Sequence, residues 1–234
     1  MFGKPWALRM KMQVKAVLFD LGWTLIKTAE IPEIYKRILE TYEVRVSSAE
    51  ILEAHRGNEK EVDVVKGQLE LGRDFWVAWN LTVLERIGIE QNREFLAKKI
   101  DELWWDYADL EVYPDVMETL NQLRAKGVKT GVITNGLKKD YEQILTRLKL
   151  ANSFDVVVGV DTCNKGKPDK EIFLYALEKL RVRPEEAVFV GDSVKYDYEG
   201  ARGAGLKPLL IDREGKVTED VETIRSLTEV LLYV

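Results

Sequence analysis

The sequence predicts an α/β protein: a parallel sheet core covered by helices on both faces, interrupted in the chain by an all-α insert. Three observations carry this expectation. The chain opens on a short buried-strand pattern, Val14 to Asp20. From Pro114 onward, strands and helices alternate, and the strands are nearly continuous apolar runs. Between about Thr28 and Leu110, apolar residues recur at helical spacing and no convincing strand occurs. The expected boundaries are 13–27 and 111–234 for the core, 28–110 for the helical insert and 1–12 for an N-terminal extension.

The elements follow in order. The first residues, MFGKPWALRMKMQ, are basic and have neither a useful apolar stretch nor a cleavage-like end. They read as an extension, or as a start-site choice upstream of Met10 or Met12. VKAVLFD is β-branched and apolar and ends abruptly at an acid. In the insert, Pro32 sits at a helix start before EIYKRILETY, and Ser47-Ser48-Ala49-Glu50 fits a capping box. RDFWVAWNLTVLERIG and NREFLAKKIDELWWDYA have helical spacing. Trp76, Trp79, Trp104 and Trp105 lie here, as an aromatic bundle core or with one or two facing a cleft.

The second half of the core begins with a helix from Asp115 to Gly127, with Pro114 at its start and Gly127 just past its end. Strand Val128 to Thr134, a helix around Asp140 to Leu150 and strand Phe154 to Val160 follow. Then come a helix from Lys170 to Leu180, strand Ala187 to Asp192, a helix near Tyr196 to Ala204 and strand Lys207 to Ile211. A helix is expected after Thr218. GARGAG, Gly200 to Gly205, precedes a strand instead of following one, so its glycines end a helix and form no dinucleotide loop.

Composition narrows the chemistry. Lys plus Arg total 35 and Asp plus Glu 40, a net charge of −5, so the chain carries no overall basic field for nucleic acid. A single cysteine, Cys163, excludes an internal disulfide framework. A single histidine, His55, excludes a multi-histidine metal site. Any metal site is therefore built mainly from oxygen ligands, which points to magnesium or calcium. The longest uncharged run, Phe75 to Leu84, is far short of the roughly 20 residues of a membrane helix. The expectation is a cytoplasmic protein with no membrane or nucleic-acid partner. High Lys and Glu with little Cys, Met or His hints at a thermophile. Nothing in the chain fixes an oligomeric state.

Three of the core strands end in polar side chains: Asp20, Thr134 and Asp192. Ligands of open parallel sheets bind beyond the carboxyl ends of the strands, at a switch in strand order. Asp20 and Asp192 side by side repel each other, and a divalent cation resolves that repulsion; magnesium is the natural choice.

The ordered set DLGWT (Asp20 to Thr24), VITNG (Val132 to Gly136), GKPDKEIF (Gly166 to Phe173) and GDSVKYD (Gly191 to Asp197) is specific where each piece alone is weak. It resembles the haloacid dehalogenase superfamily, most of whose members are magnesium-dependent phosphatases. The resemblance runs from Val14 to the C-terminus. It implies a Rossmann-like core with an inserted all-α cap domain. It further implies that Asp20 is a nucleophile forming an aspartyl-phosphate. Asp20, the Gly22 carbonyl, Asp192 and Asp197 hold Mg2+ in this picture. Thr134, Asn135 and nearby backbone amides bind phosphate oxygens, and Lys167 neutralises the phosphate. Lys165 competes for that role, but the match of GKPDKEIF favours Lys167. The implied partner is a small phosphorylated metabolite.

The departure lies in the first motif. Most family phosphatases carry a second Asp two residues after the nucleophile, as general acid and then base; this chain has Gly22. Trp23 also stands where the family often has glycine, either packed beneath the cap or forming a wall of the substrate pocket. A low-turnover phospholigand-binding protein is the alternative, followed by a phosphonatase using a cap lysine such as Lys60 or Lys66, or a dehalogenase. His55 reads as a surface or interhelix residue, Arg56 and Arg73 as solvated, and Cys163 as structural.

Overall fold

A computed structural model describes residues 13–234; the extension expected over 1–12 lies outside the described residues. Strand β1 (Ala16–Phe19) is fully buried and ends at Asp20. The short β2 (Ile26–Lys27) follows, and the helical insert begins. Its helices are α1 (Ile31–Glu40), α2 (Ser48–Glu61), α3 (Val64–Leu71), α4 (Phe75–Arg86) and α5 (Arg93–Tyr107). Pro32 lies in the first turn of α1, where a missing N–H costs nothing. Ser47 and Glu50 form the expected capping box on α2. The chain returns through β3 (Glu111–Val112), which pairs antiparallel with β2 and carries a 2.7 Å Lys27–Glu111 ion pair. Strands this short carry no readable periodicity, and the sequence did not suggest them.

The rest of the core is α6 (Val116–Ala125), β4 (Lys129–Ile133), α7 (Lys138–Arg147), β5 (Val156–Val158), α8 (Val160–Cys163) and α9 (Lys170–Leu180). Then come β6 (Ala187–Gly191), one π-helical turn over Val194–Tyr198, α10 (Glu199–Gly203) and β7 (Lys207–Ile211). The expected helix after Thr218 is absent. Instead β8 (Thr223–Ile224) adds to the sheet and a 3-10 stretch covers Leu227–Tyr233. The Leu210 and Asp212 amides on the β7 edge donate to the Glu222 and Ile224 carbonyls, so the open edge recruits this segment as a strand.

The six-stranded sheet runs β5-β4-β1-β6-β7-β8, and all its pairings are parallel. Successive side chains of β1 point to opposite faces. Val17 and Phe19 join a core with α6 and α7, whereas Ala16 and Leu18 join one with α9 and α10. The insert has its own core around Tyr35, Ile38, Trp79 and Ile100. Gly200 lies against Phe173 and Pro168, where an added Cβ would sit 2.9 Å from the ring, so this glycine lets α10 approach α9 closely. No helix among the described residues is long and apolar enough to cross a membrane.

Candidate active site

Strand order reverses around β1: the chain runs from β1 to β4 and β5 on one side, then returns to β6 on the other. The carboxyl ends of β1, β4 and β6 are therefore neighbours at the switch point. Phe19 pairs with Val132 and with Val190, so Asp20, Thr134 and Asp192 emerge at nearly one level. The Asp20 amide donates to the Val190 carbonyl (2.8 Å) and the Thr134 amide to that of Val158 (2.9 Å), anchoring both residues to the sheet.

Lys167 reaches this point from the loop before α9. Its Nζ donates to Asp20 Oδ1 at 2.5 Å and to Asp197 Oδ1 at 2.6 Å, and it is only 3% exposed. Lys165, the competitor, instead pairs at the surface with Asp169 and Glu171. The Asn135 side chain holds the Lys167 backbone from both sides: its Nδ2 donates to the Lys167 carbonyl (2.9 Å) and its Oδ1 accepts from the Lys167 amide (2.7 Å). Gln68 of α3 donates to the Asn135 carbonyl (2.9 Å), tying the insert to this clamp. The clamp and Gln68 carry no sequence signature, because they act through main-chain atoms far away in the chain.

Asp197 sits in the π-helical turn, an arrangement common at functional sites. The Ser193 amide donates to its Oδ2 (2.9 Å). A Cβ on Gly191 would lie 2.3 Å from the Asp197 carboxyl carbon, so only glycine permits this approach. Asp20, Asp192 and Asp197 each place an oxygen within 4.8 Å of the others. Asp192 is exposed while the other two are buried.

Crowding sets the electrostatics. Burial lifts the Asp20 carboxyl to about 7 against the pull of Lys167, and Asp197 and Asp192 add to the lift. Partial desolvation of its carboxyl beside the buried pair, then the charge of Asp197, raises Asp192 to about 6 although the residue keeps an exposed surface. Burial alone would lower the Lys167 ammonium, but Asp20 and Asp197 outweigh it and hold it above its ordinary value. Three carboxylates facing one ammonium leave a surplus of negative charge, which suits a hard divalent cation.

Lys167→Met would leave Asp20 and Asp197 buried without their cation. The expected loss is about 3–5 kcal/mol of stability, read as a lowered melting temperature at neutral pH. An unchanged melting temperature would show that the ion set contributes nothing to the fold.

Gly22 follows with open space around it: an added Cβ would meet nothing within 4 Å. Trp23 has φ +55°, a left-handed conformation that glycine adopts freely, and is 47% exposed. It lines a cavity between the sheet and the insert, together with Gly22, Thr134, Trp76, Trp79, Trp104 and Trp105. Trp79 belongs to the insert core as well, so the packing and cleft readings of the tryptophans are both met. His55 is a buried interhelix residue whose burial lowers its pKa to about 4. Arg56 and Arg73 are exposed, and no lysine among the described residues lines the cavity. Burial raises the Cys163 thiol, which fits a structural role.

Residues 14–205 match a family model described as haloacid dehalogenase-like hydrolase. The chain is 34% identical to glyceraldehyde 3-phosphate phosphatase of Methanopyrus kandleri over 89% of its length and 88% of that protein. It is also 34% identical to pyrophosphatase PpaX of Bacillus cereus, over 84% of this chain and 82% of that one. The crystal structure of a HAD phosphatase from Thermococcus onnurineus superposes with a TM-score of 0.61 at 30% identity, covering 93% of this chain and 96% of the other.

Proposed function

The chain belongs to the haloacid dehalogenase-like hydrolases, and from that premise we propose that it is a magnesium-dependent phosphatase acting on a small phosphate monoester. The observation that carries this reading is Asp20 at the β1 end, held by Lys167 and crowded by Asp192 and Asp197. The relative named glyceraldehyde 3-phosphate phosphatase supports phosphate ester hydrolysis, and the one named pyrophosphatase supports hydrolysis at phosphorus more broadly.

In the proposed reaction an Asp20 carboxylate oxygen attacks phosphorus in line, the bond to the alcohol oxygen breaks, and an aspartyl-phosphate forms. Lys167 offsets charge on the nucleophile and the phosphate, while the Thr134 hydroxyl and the main chain around Asn135 orient the phosphate oxygens. Water then attacks phosphorus, inorganic phosphate leaves and Asp20 is restored. Asp20, Asp192, Asp197 and the Gly22 carbonyl would hold Mg2+, an all-oxygen set that fits this ion. Magnesium supplies charge neutralisation between nucleophile and phosphate. The residues 28–110 act as a cap over the strand ends, excluding bulk water and shaping the substrate pocket.

Gly22 bears on the rate. It supplies no proton to a leaving alkoxide and no base to the attacking water, which favours activated esters. The same feature sustains a second reading, a low-turnover phospholigand-binding protein. A phosphonatase is not favoured, since among the described residues no lysine lines the cavity to form a Schiff base. The test is hydrolysis of an aryl phosphate: turnover that disappears with a chelator and returns with magnesium is expected. No turnover, with phosphate affinity retained, would favour the binding protein.

A further inference from the structure

The cavity beside Asp20 measures about 560 Å³. Gly22 and Thr134 form its wall on the sheet side, and Tyr35, Trp76, Trp79 and Trp104 face them from the insert. Among the described residues, the acids Glu30, Glu59, Asp101 and Asp140 also line it, and no Lys or Arg does. Asp101 pairs with Lys139 at 3.3 Å, and Lys139 is not among the lining residues. Asp140 accepts only the Trp76 indole N–H (3.3 Å), and burial lifts its pKa to about 6 despite Lys139 nearby. Glu30 and Glu59 form no salt bridge among the described residues.

A second, independent feature asks for a ligand. His55 lines the same cavity and is 7% exposed. Its Nδ1 accepts from the Trp79 indole (3.4 Å), which places the imidazole proton on Nε2. That Nε2–H has no partner among the described residues. A buried donor without an acceptor is costly, and an oxygen of a bound ester would satisfy it.

A second anion entering here would lose its hydration and meet four carboxylates, of which Asp101 is paired with Lys139, and no Lys or Arg among the described lining residues. A cation would be attracted by those carboxylates, and the aromatic residues that line the same space can add cation–π attraction. We propose that this cavity selects phosphate monoesters whose leaving alcohol carries a positively charged amine. The proposal rests on the phosphatase reading above and specifies its substrate class. The reaction is unchanged: water splits the ester to the amino alcohol and inorganic phosphate. Pyrophosphate, with an anionic leaving group, would be a poor substrate.

The test compares phosphocholine with its neutral carbon isostere, dimethylbutyl phosphate, both with magnesium. Two readouts are used: kcat/KM, and binding to the Asp20→Asn protein through quenching of the cavity tryptophans. The charged ester should be preferred roughly two- to thirtyfold. That preference should shrink in Glu59→Gln and Asp140→Asn. An equal or reversed preference overturns the proposal; continued hydrolysis of an aryl phosphate would then leave the phosphatase reading standing. If no ester is hydrolysed, that reading fails and binding alone decides: tighter binding of phosphocholine supports the proposal, and equal binding overturns it.

Discussion

Asp20→Asn is expected to lower kcat for an aryl phosphate by at least about 10³-fold, because the nucleophile becomes an amide that forms no stable phosphoryl adduct. The fold should survive. Asparagine has nearly the same shape, keeps an oxygen to accept from Lys167, and leaves the Lys167–Asp197 pair at 2.6 Å in place. The substitution also removes one of the three crowded carboxylates. The measurement is steady-state hydrolysis beside thermal unfolding. Loss of activity with an unchanged or raised melting temperature is the expected pair. A variant as active as the parent would remove Asp20 from the chemistry.

The second large effect concerns Gly22. Gly22→Asp introduces the carboxyl that most family phosphatases carry. Open space around the position and the absence of a positive φ mean that the side chain enters without strain. General acid help contributes about 10²–10⁴-fold where a poor leaving group needs a proton. The gain should appear in kcat/KM for alkyl phosphates, which reports the step that expels the alcohol. An aryl oxide leaves unaided, so kcat/KM for an aryl phosphate should change little. Its kcat can still rise, because the same carboxyl would activate water in the second step. Equal gains in kcat/KM for both esters would refute the missing-acid explanation.

Much of this was legible in the chain because local and global signals agree there. Lys170–Leu180 and Lys207–Ile211 lie where apolar spacing places them, since both elements bury a continuous apolar face. Asp20, Thr134 and Asp192 were marked by polar residues closing apolar strands. The segment after Thr218 misled because its backbone answers to the open edge of β7, a tertiary demand that overrides its own preference. The two-residue strands Ile26–Lys27 and Glu111–Val112 were too short to show a period. Choosing Lys167 over Lys165 depended on the motif as a whole. In the structure Lys167 reaches the two buried carboxylates, whereas Lys165 pairs at the surface. The acidic lining of the cavity was invisible in advance. Glu30, Glu59, Asp101 and Asp140 come from distant stretches and share no spacing. A net charge of −5 does not show which carboxylates share one cavity.

The central claim is that Asp20 carries the phosphoryl group. Without an acid or base at Gly22, an aryl phosphate should load Asp20 faster than water unloads it, so the intermediate should accumulate. The direct measurement is mass analysis of the magnesium-loaded protein, acid-quenched during turnover of an aryl phosphate. The account predicts one added phosphoryl group on the peptide containing Asp20, absent from Asp20→Asn. Sustained turnover with no phosphorylated protein, or with the phosphoryl group on another residue, would contradict it.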